Sequence, residues 1–173
     1  MNDPRHPIGR FDYPGQASSQ ERAAWIDEVA ALPAAMRQAV ERLDDGQLDT
    51  PYRPGGWTLR QVVHHVPDSH VNSYVRFKLA LTENEPIIKP YDEASWAELP
   101  DAWEPIAGSL ALLEAIHARW TALLRSMSEA DWHRRFIHPD SGPTDLTRAL
   151  GSYAWHGRHH LAHITMAVTR HGW

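Results

Sequence analysis

The chain is organised around the stretch Tyr153-Ala154-Trp155-His156-Gly157-Arg158-His159-His160-Leu161-Ala162-His163-Ile164, in which four histidines fall within eight residues. In a helix, residues four apart lie on one face, one turn apart. Two such pairs are present, His156 with His160 and His159 with His163. A helical pair at this spacing can direct two imidazoles at one cation. The stretch therefore predicts a helix that supplies two ligands to a metal site.

A catalytic metal site needs at least one further protein ligand. The candidates are His64 and His65, about 90 residues upstream, which lie between Val63 and Val66 in a second apolar segment. We interpret the rest of the chain as the scaffold that brings these two segments together.

Four segments carry apolar residues every three to four positions, which predicts helices over about 18–44, 58–83, 105–127 and 145–170. Ser18, Thr58 and Thr144 are the predicted N-caps of the first, second and fourth helices, and Glu21 completes a capping box with Ser18. Gly172 is at the position of a C-cap glycine. The first helix contains Pro33, which predicts a kink, and the second contains Pro67.

The segments between the helices are rich in proline and glycine and show no convincing strand. Residues 1–17 are predicted to form an extended arm, 46–56 and 133–143 to form loops, and 84–104 to form a long connection. The sequence therefore predicts an all-α fold, a four-helix bundle in one domain over 1–173, with a long crossover between helices two and three. Bundles of this kind build metal sites in their cores.

Composition excludes several classes of function. The 173 residues carry a net charge of −5 and no cluster of lysine and arginine, which disfavours nucleic-acid binding. No apolar run reaches membrane-spanning length, and the amino terminus lacks the apolar region of a signal peptide, so we expect a cytoplasmic protein without a membrane partner. The absence of cysteine excludes thiolate ligands and disulfides. The 12 histidines are unusually many, and their clustering indicates a metal site.

The apolar neighbours indicate which histidines of the last helix face inward. His156 and His159 are about 300° apart around a helix axis, so both pairs cannot face the core at one point. His156 and His160 share a stripe with Tyr153 and Ile164, so they are the predicted inward pair. His159 and His163 are expected to support the ligands from an adjacent stripe. Spacing does not separate His64 from His65. Five isolated histidines are interpreted as surface or hydrogen-bonded residues: His6, His117, His133, His138 and His171.

Residues 57–66, Trp-Thr-Leu-Arg-Gln-Val-Val-His-His-Val, resemble a signature of the DinB/YfiT-like superfamily of metalloenzymes, and residues 156–160 are similar to its carboxyl-terminal H-x-x-x-H motif. Further similarity to the YfiT branch runs through residues 7–11, 54–58, 68–72, 76–83, 88–93 and 153–157. The resemblance implies that His65, His156 and His160 form the metal triad. It also implies a metal-dependent hydrolase or a thiol S-transferase of the bacillithiol type.

Three neutral histidines leave positions free on a zinc- or nickel-type ion, as in catalytic sites. The ion could activate water, or a low-molecular-weight thiol, for attack on a small electrophilic substrate. The alternative is a metal- or ligand-binding stress-response bundle without turnover, in which a fourth protein ligand would close the site. The eight tryptophans and the apolar arm exceed what one bundle core needs, and the resemblance implies a homodimer.

Three polar residues follow His65 on about the same helical face, and they are the predicted catalytic residues: Asp68, Asn72 and Arg76. Asp68 would hydrogen-bond a ligand histidine or act as a general base. Arg76 would hold a substrate carboxylate bidentately, or pair with an acidic side chain in residues 89–93.

Overall fold

The computed structural model describes residues 3–173, and four long helices dominate it. They are α1 (Ser19–Val40), α3 (Leu59–Thr82), α5 (Ala107–Ser126) and α6 (Leu146–His171). Helix α1 packs against α5 and α6, and α3 packs against the same two helices from the other side. The predicted four-helix bundle is thus confirmed. No helix within residues 3–173 combines the length and the apolar character that a membrane crossing requires.

The helix starts follow from side-chain caps that satisfy free backbone N–H groups. Ser18 and Glu21 form the predicted capping box of α1, and Thr58 caps α3 in the same way with Gln61. Helix α6 differs from the prediction, because Asp145 rather than Thr144 is its N-cap and accepts a hydrogen bond from the Arg148 N–H. At the other end Gly172 adopts a left-handed conformation (φ 72°), which ends α6 as predicted.

The first predicted helix was too long. Helix α1 ends at Val40, and a separate short helix, α2 (Asp45–Leu48), overlaps the start of the predicted loop 46–56. Asp44 is extended and caps α2 by accepting a hydrogen bond from the Gln47 N–H, so it starts a new helix instead of ending the first. The buried guanidinium of Arg60 then bonds Asp45 and Asp49, which fixes α2 against α3.

The prediction that residues 133–143 form a loop and that the chain has no strand was wrong. Strands β1 (Arg135–His138) and β2 (Gly142–Asp145) pair antiparallel in a short hairpin. Backbone bonds from the Ile88 N–H to the Ile137 carbonyl and from the Ile137 N–H to the Pro86 carbonyl attach the hairpin to the crossover. Strands of four residues are too short for a periodic signal, and their pairing depends on contacts with a distant segment.

The long connection predicted over 84–104 is present between α3 and α5, and it contains short helical segments. It contains the short helix α4 (Glu93–Trp96) and a 3-10 turn (Pro100–Trp103). The side chain of Gln61 donates to the Ala97 carbonyl at 2.9 Å, which holds the connection against α3. Of the arm predicted to be extended over 1–17, residues 3–17 contain no helix or strand and make turns at 4–5 and 7–8, and residues 1–2 lie outside the described residues. The Phe11 ring lies 6.3 Å from that of Trp155 on α6.

Close approach of α1 and α6 depends on glycine. A Cβ atom at Gly157 would lie 2.6 Å from a methyl carbon of Leu32, a buried residue of α1. Alanine favours helix over glycine by about 1 kcal/mol, but forcing an extra carbon into a packed core costs about 1–3 kcal/mol. The contact therefore explains why a helix that carries the histidine cluster has glycine in its middle.

We expect Gly157→Ala to lower the free energy of unfolding by about 1 kcal/mol, because overpacking exceeds the gain in helix propensity. The matched control is Gly108→Ala in α5, where nothing lies within 4 Å of the added carbon, and where we expect a small gain in stability. Denaturant unfolding of both variants in chelator measures the difference. Equal stabilisation by the two substitutions would contradict the close packing of α1 on α6.

Candidate metal centre and its cavity

Three histidines converge between α3 and α6. His65 comes from α3, His156 and His160 come from successive turns of α6, and one ring nitrogen of each lies within 4.8 Å of the others. The Nε2 atoms of His65 and His156 are 3.3 Å apart. The structure thus brings together the three residues that the resemblance implies as a metal triad.

The chemistry of this cluster fits a divalent metal. Burial lowers the pKa of His65 to about 4, with a further contribution from His159. Burial also holds the pKa values of His156 and His160 well below the ordinary range, and the neighbouring histidines lower them further. All three imidazoles are therefore neutral at physiological pH and retain a lone pair, as a ligand must. The Nδ1 atom of His160 is buried without a hydrogen-bond partner among the described residues.

The structure separates His64 from His65, which spacing could not do. Both ring nitrogens of His64 are engaged, one with Ser109 Oγ at 2.7 Å and the other with the Glu104 carbonyl at 2.9 Å. These bonds link α3 to the start of α5 and to the segment before it, and His64 does not join the cluster.

The predicted support from His159 and His163 is absent among residues 3–173. His159 stacks on Trp155 at 4.5 Å and His163 stacks on Tyr52 at 4.0 Å, and neither ring hydrogen-bonds a member of the cluster. Both residues are buried, and their contribution is aromatic packing beside the cluster, with His159 on the cavity wall.

His70 contacts the cluster and His117 contacts His70. Sequence analysis assigned no role to His70, and it predicted His117 only to be a surface or hydrogen-bonded residue. His70 Nε2 lies 3.1 Å from His156 Nδ1, and His70 Nδ1 lies 2.8 Å from His117 Nε2. His117 Nδ1 lies 2.5 Å from the Val29 carbonyl oxygen. Burial lowers the pKa of His117 to about 4 and that of His70 well below the ordinary range. The available signal was the position of each histidine within an apolar helical stripe.

A cavity of about 440 Å³ opens beside the three histidines. Aromatic side chains and charged groups share its wall. They come from the segment before α3, from α3, the crossover, the hairpin and α6: Trp57, Ser69, Arg76, Pro90, Tyr91, Glu93, His138, Asp140, Trp155 and His159. Burial raises the pKa of Tyr91 to about 12, so its phenol is a donor and not a phenolate. The hairpin that the sequence did not reveal thus contributes His138 and Asp140 to the site.

Of the three predicted catalytic residues, only Arg76 lines this cavity, and within residues 3–173 it has no ion-pair partner. Asp68 lines a separate cavity of about 210 Å³ together with His64 and Asp101, and His65 borders both cavities. Burial, with Asp101 nearby, raises the pKa of Asp68 to about 6. The side-chain amide of Asn72 donates to the Asp68 carbonyl at 2.8 Å, within α3.

Known proteins resemble this chain along its whole length. The family model of the DinB superfamily matches residues 28–164. Proteins named "Putative metal-dependent hydrolase" from Bacillus mycoides (strain KBAB4) and Bacillus cereus (strain AH820) are 55% and 56% identical over 173 residues, covering 100% of each chain.

Two solved structures also resemble this chain. YfiT from Bacillus subtilis, described as a probable metal-dependent hydrolase with an unusual four-helix bundle topology, is 51% identical, with a TM-score of 0.96 over 98% of both chains. A second four-helix bundle protein, 18% identical with a TM-score of 0.56, covers 81% of this chain and 94% of its own and supports the fold alone.

Proposed function

This chain belongs to the DinB superfamily, and we propose that it is a metal-dependent enzyme in which His65, His156 and His160 hold one divalent ion. The observation that carries the proposal is the cluster of three neutral imidazoles beside a cavity of about 440 Å³. Nitrogen donors of this kind suit zinc or nickel. Relatives named "Putative metal-dependent hydrolase" support a metal-dependent enzyme.

An ion of this type, when bound, lowers the pKa of water or keeps a thiol deprotonated, and so supplies a nucleophile at neutral pH. Both nucleophiles are part of the proposal, which includes hydrolysis and transfer of a low-molecular-weight thiol to an electrophile. The three histidines contribute by remaining neutral, because burial opposes their protonation.

The cavity wall suits a small substrate with both apolar and ionised groups. Arg76 supplies a guanidinium for a substrate carboxylate. Glu93 and Asp140 supply carboxylates on the same wall, while the rings of Trp57 and Trp155 cover apolar surface. Asp68 is a weaker candidate for the general base than its spacing suggested, because it lines the other cavity.

A purely metal-binding role is the second candidate. A fourth protein ligand would favour it, but the cluster holds three ligand-type side chains among residues 3–173 and no fourth. Structural zinc sites are usually closed by four protein ligands, whereas catalytic sites keep a position for water or substrate. The geometry therefore supports the enzyme better.

The zinc- or nickel-loaded protein is expected to turn over substrates in one of two assays. One assay uses small esters and amides. The other uses bacillithiol or glutathione with a chlorinated aromatic or an epoxide. Turnover should disappear on chelation and return when the metal is restored. Stoichiometric metal without turnover in either assay would favour the binding role.

Arg76→Gln is expected to raise KM for carboxylate-bearing substrates by about 10-fold or more, since hydrogen bonds to a charged group contribute about 1.5–3 kcal/mol. Arg119→Gln is the control, because this arginine lies over the Tyr74 ring and not on the cavity wall. An unchanged KM in Arg76→Gln would remove Arg76 from the site.

A further inference from the structure

The contacts between His156 and the core form a chain of imidazoles that ends at a backbone carbonyl. The chain runs from His156 through His70 to His117, and then to Val29 of α1. His70 is 0% exposed and His117 is 1% exposed, so both rings are shielded from bulk solvent. Each ring is neutral, and a neutral imidazole has one N–H donor and one acceptor nitrogen.

The carbonyl at the end of this chain of imidazoles is available because a proline follows it one helical turn later. In an α-helix the carbonyl of Val29 would accept from the N–H of residue 33. Residue 33 is Pro33, which has no N–H, so α1 leaves the Val29 oxygen without its helical partner. His117 Nδ1 occupies that position at 2.5 Å. Pro33 thus has a role beyond the kink that its sequence position predicts.

The carbonyl sets the direction of every bond in the chain, because it can only accept. His117 must therefore carry its proton on Nδ1, which leaves Nε2 as the acceptor for His70. His70 then carries its proton on Nδ1 as well and accepts at Nε2, so His156 must donate from Nδ1. The lone pair of His156 is left on Nε2, the atom that faces His65 Nε2 at 3.3 Å.

We propose that His70 and His117 are positioning residues that hold His156 in the Nδ1–H tautomer, with the Val29 carbonyl as the fixed end of the chain. A ligand histidine is generally oriented by a hydrogen bond from its other ring nitrogen to a carboxylate, carbonyl or water. Here two neutral histidines link the Nδ1 atom of His156 to a backbone carbonyl of a neighbouring helix, and so fix the tautomer of His156. The proposed benefit for metal binding rests on the proposed function, whereas the tautomer assignment does not.

The direct test is nitrogen NMR of histidine-labelled, metal-free protein, in which long-range proton couplings show which ring nitrogen carries the proton. We expect Nδ1–H at His117, His70 and His156. A proton on Nε2 of any of the three would overturn the proposal. This measurement needs neither metal nor substrate, so it stands even if the protein proves to bind no metal, in which case the proposed function fails separately.

Two variants at His117 separate hydrogen bonding from packing. His117→Phe keeps a buried ring but removes the acceptor for His70, which frees His70 and His156 to reverse their protons. We expect its zinc affinity, measured by competition with a chromophoric chelator, to fall by about 10- to 100-fold. His117→Gln provides an amide oxygen that can accept from His70, and we expect it to remain within about 3-fold of the parent.

A purely space-filling role for His117 predicts the opposite order, with Phe retaining zinc better than Gln, and that order would overturn the proposal. His64→Phe is the matched control. Like His117, His64 is buried and hydrogen-bonded, but it lies on α3 and takes no part in the chain of imidazoles. This variant is expected to bind zinc within about 3-fold of the parent. If His117→Phe does not fold, the NMR result on the parent protein and the zinc affinity of His117→Gln still decide the proposal.

Discussion

Single alanine substitutions of His65, His156 and His160 are each expected to abolish stoichiometric zinc binding, whereas His64→Ala retains it. The three cluster histidines present nitrogens within 4.8 Å of one another, so each supplies a third of the protein ligands. Removing a ligand should cost more than the roughly 10- to 100-fold that losing a supporting hydrogen bond costs. Metal analysis after dialysis, together with chelator competition, measures the loss.

His64→Ala is an informative control because it is adjacent to a proposed ligand and equally buried. Its two hydrogen bonds go to Ser109 and the Glu104 carbonyl, so its loss should reduce stability but not zinc stoichiometry. The assignment on α3 would be reversed if His64→Ala lost the metal while His65→Ala kept it. Loss of zinc in all four variants would instead indicate that the helix as a whole had been disrupted, which circular dichroism would detect.

The bundle and the three converging histidines were accessible from sequence because both depend on helical periodicity. Apolar residues at three- and four-residue steps marked the four long helices, and the same steps paired His156 with His160. Choosing between His64 and His65 required more, because adjacent residues on a helix differ by about 100° and both flanked an apolar stripe. The family resemblance and then the bonds of His64 made that choice.

The hairpin and the imidazole chain were not accessible, for two physical reasons. Strands β1 and β2 are held by pairing with each other and with residues 86–88, so their stability lies in contacts distant in sequence. The chain from His156 through His70 and His117 to Val29 joins all four long helices, and no spacing within one helix encodes it. Helical spacing placed Asp68 beside His65, and the two residues do share the smaller cavity; the larger cavity, which Asp68 does not line, could not be anticipated from spacing.

The metal-free protein is expected to lose stability steeply as pH falls from about 7 to about 5. The pKa is lowered in the folded state for eight histidines: His64, His65, His70, His117, His156, His159, His160 and His163. In the unfolded chain each histidine titrates near pH 6.5. The unfolded state therefore binds more protons below that pH, so acid favours unfolding.

The size of the effect follows from the shifted values. A histidine with a pKa of about 4 in the folded state, such as His65, His117 or His163, should cost about 2 kcal/mol over this pH range. Asp68 acts in the opposite direction, because its pKa is raised to about 6 and the folded state gains from its protonation. One half-buried carboxyl cannot balance eight histidines, so the net change is a loss of several kcal/mol, a large part of a typical folding free energy.

Denaturant unfolding in chelator at several pH values between about 7 and about 5 tests this expectation. The free energy of unfolding should fall continuously with pH, because histidines of the unfolded chain bind protons while the buried histidines of the folded state stay neutral. His117→Phe should be less stable at neutral pH but show a pH dependence weaker by about 2 kcal/mol, because one buried imidazole is gone. A free energy of unfolding that stays constant or rises toward pH 5 would show that the histidines are not held neutral in the fold, and the case for a preformed metal site would fall with it.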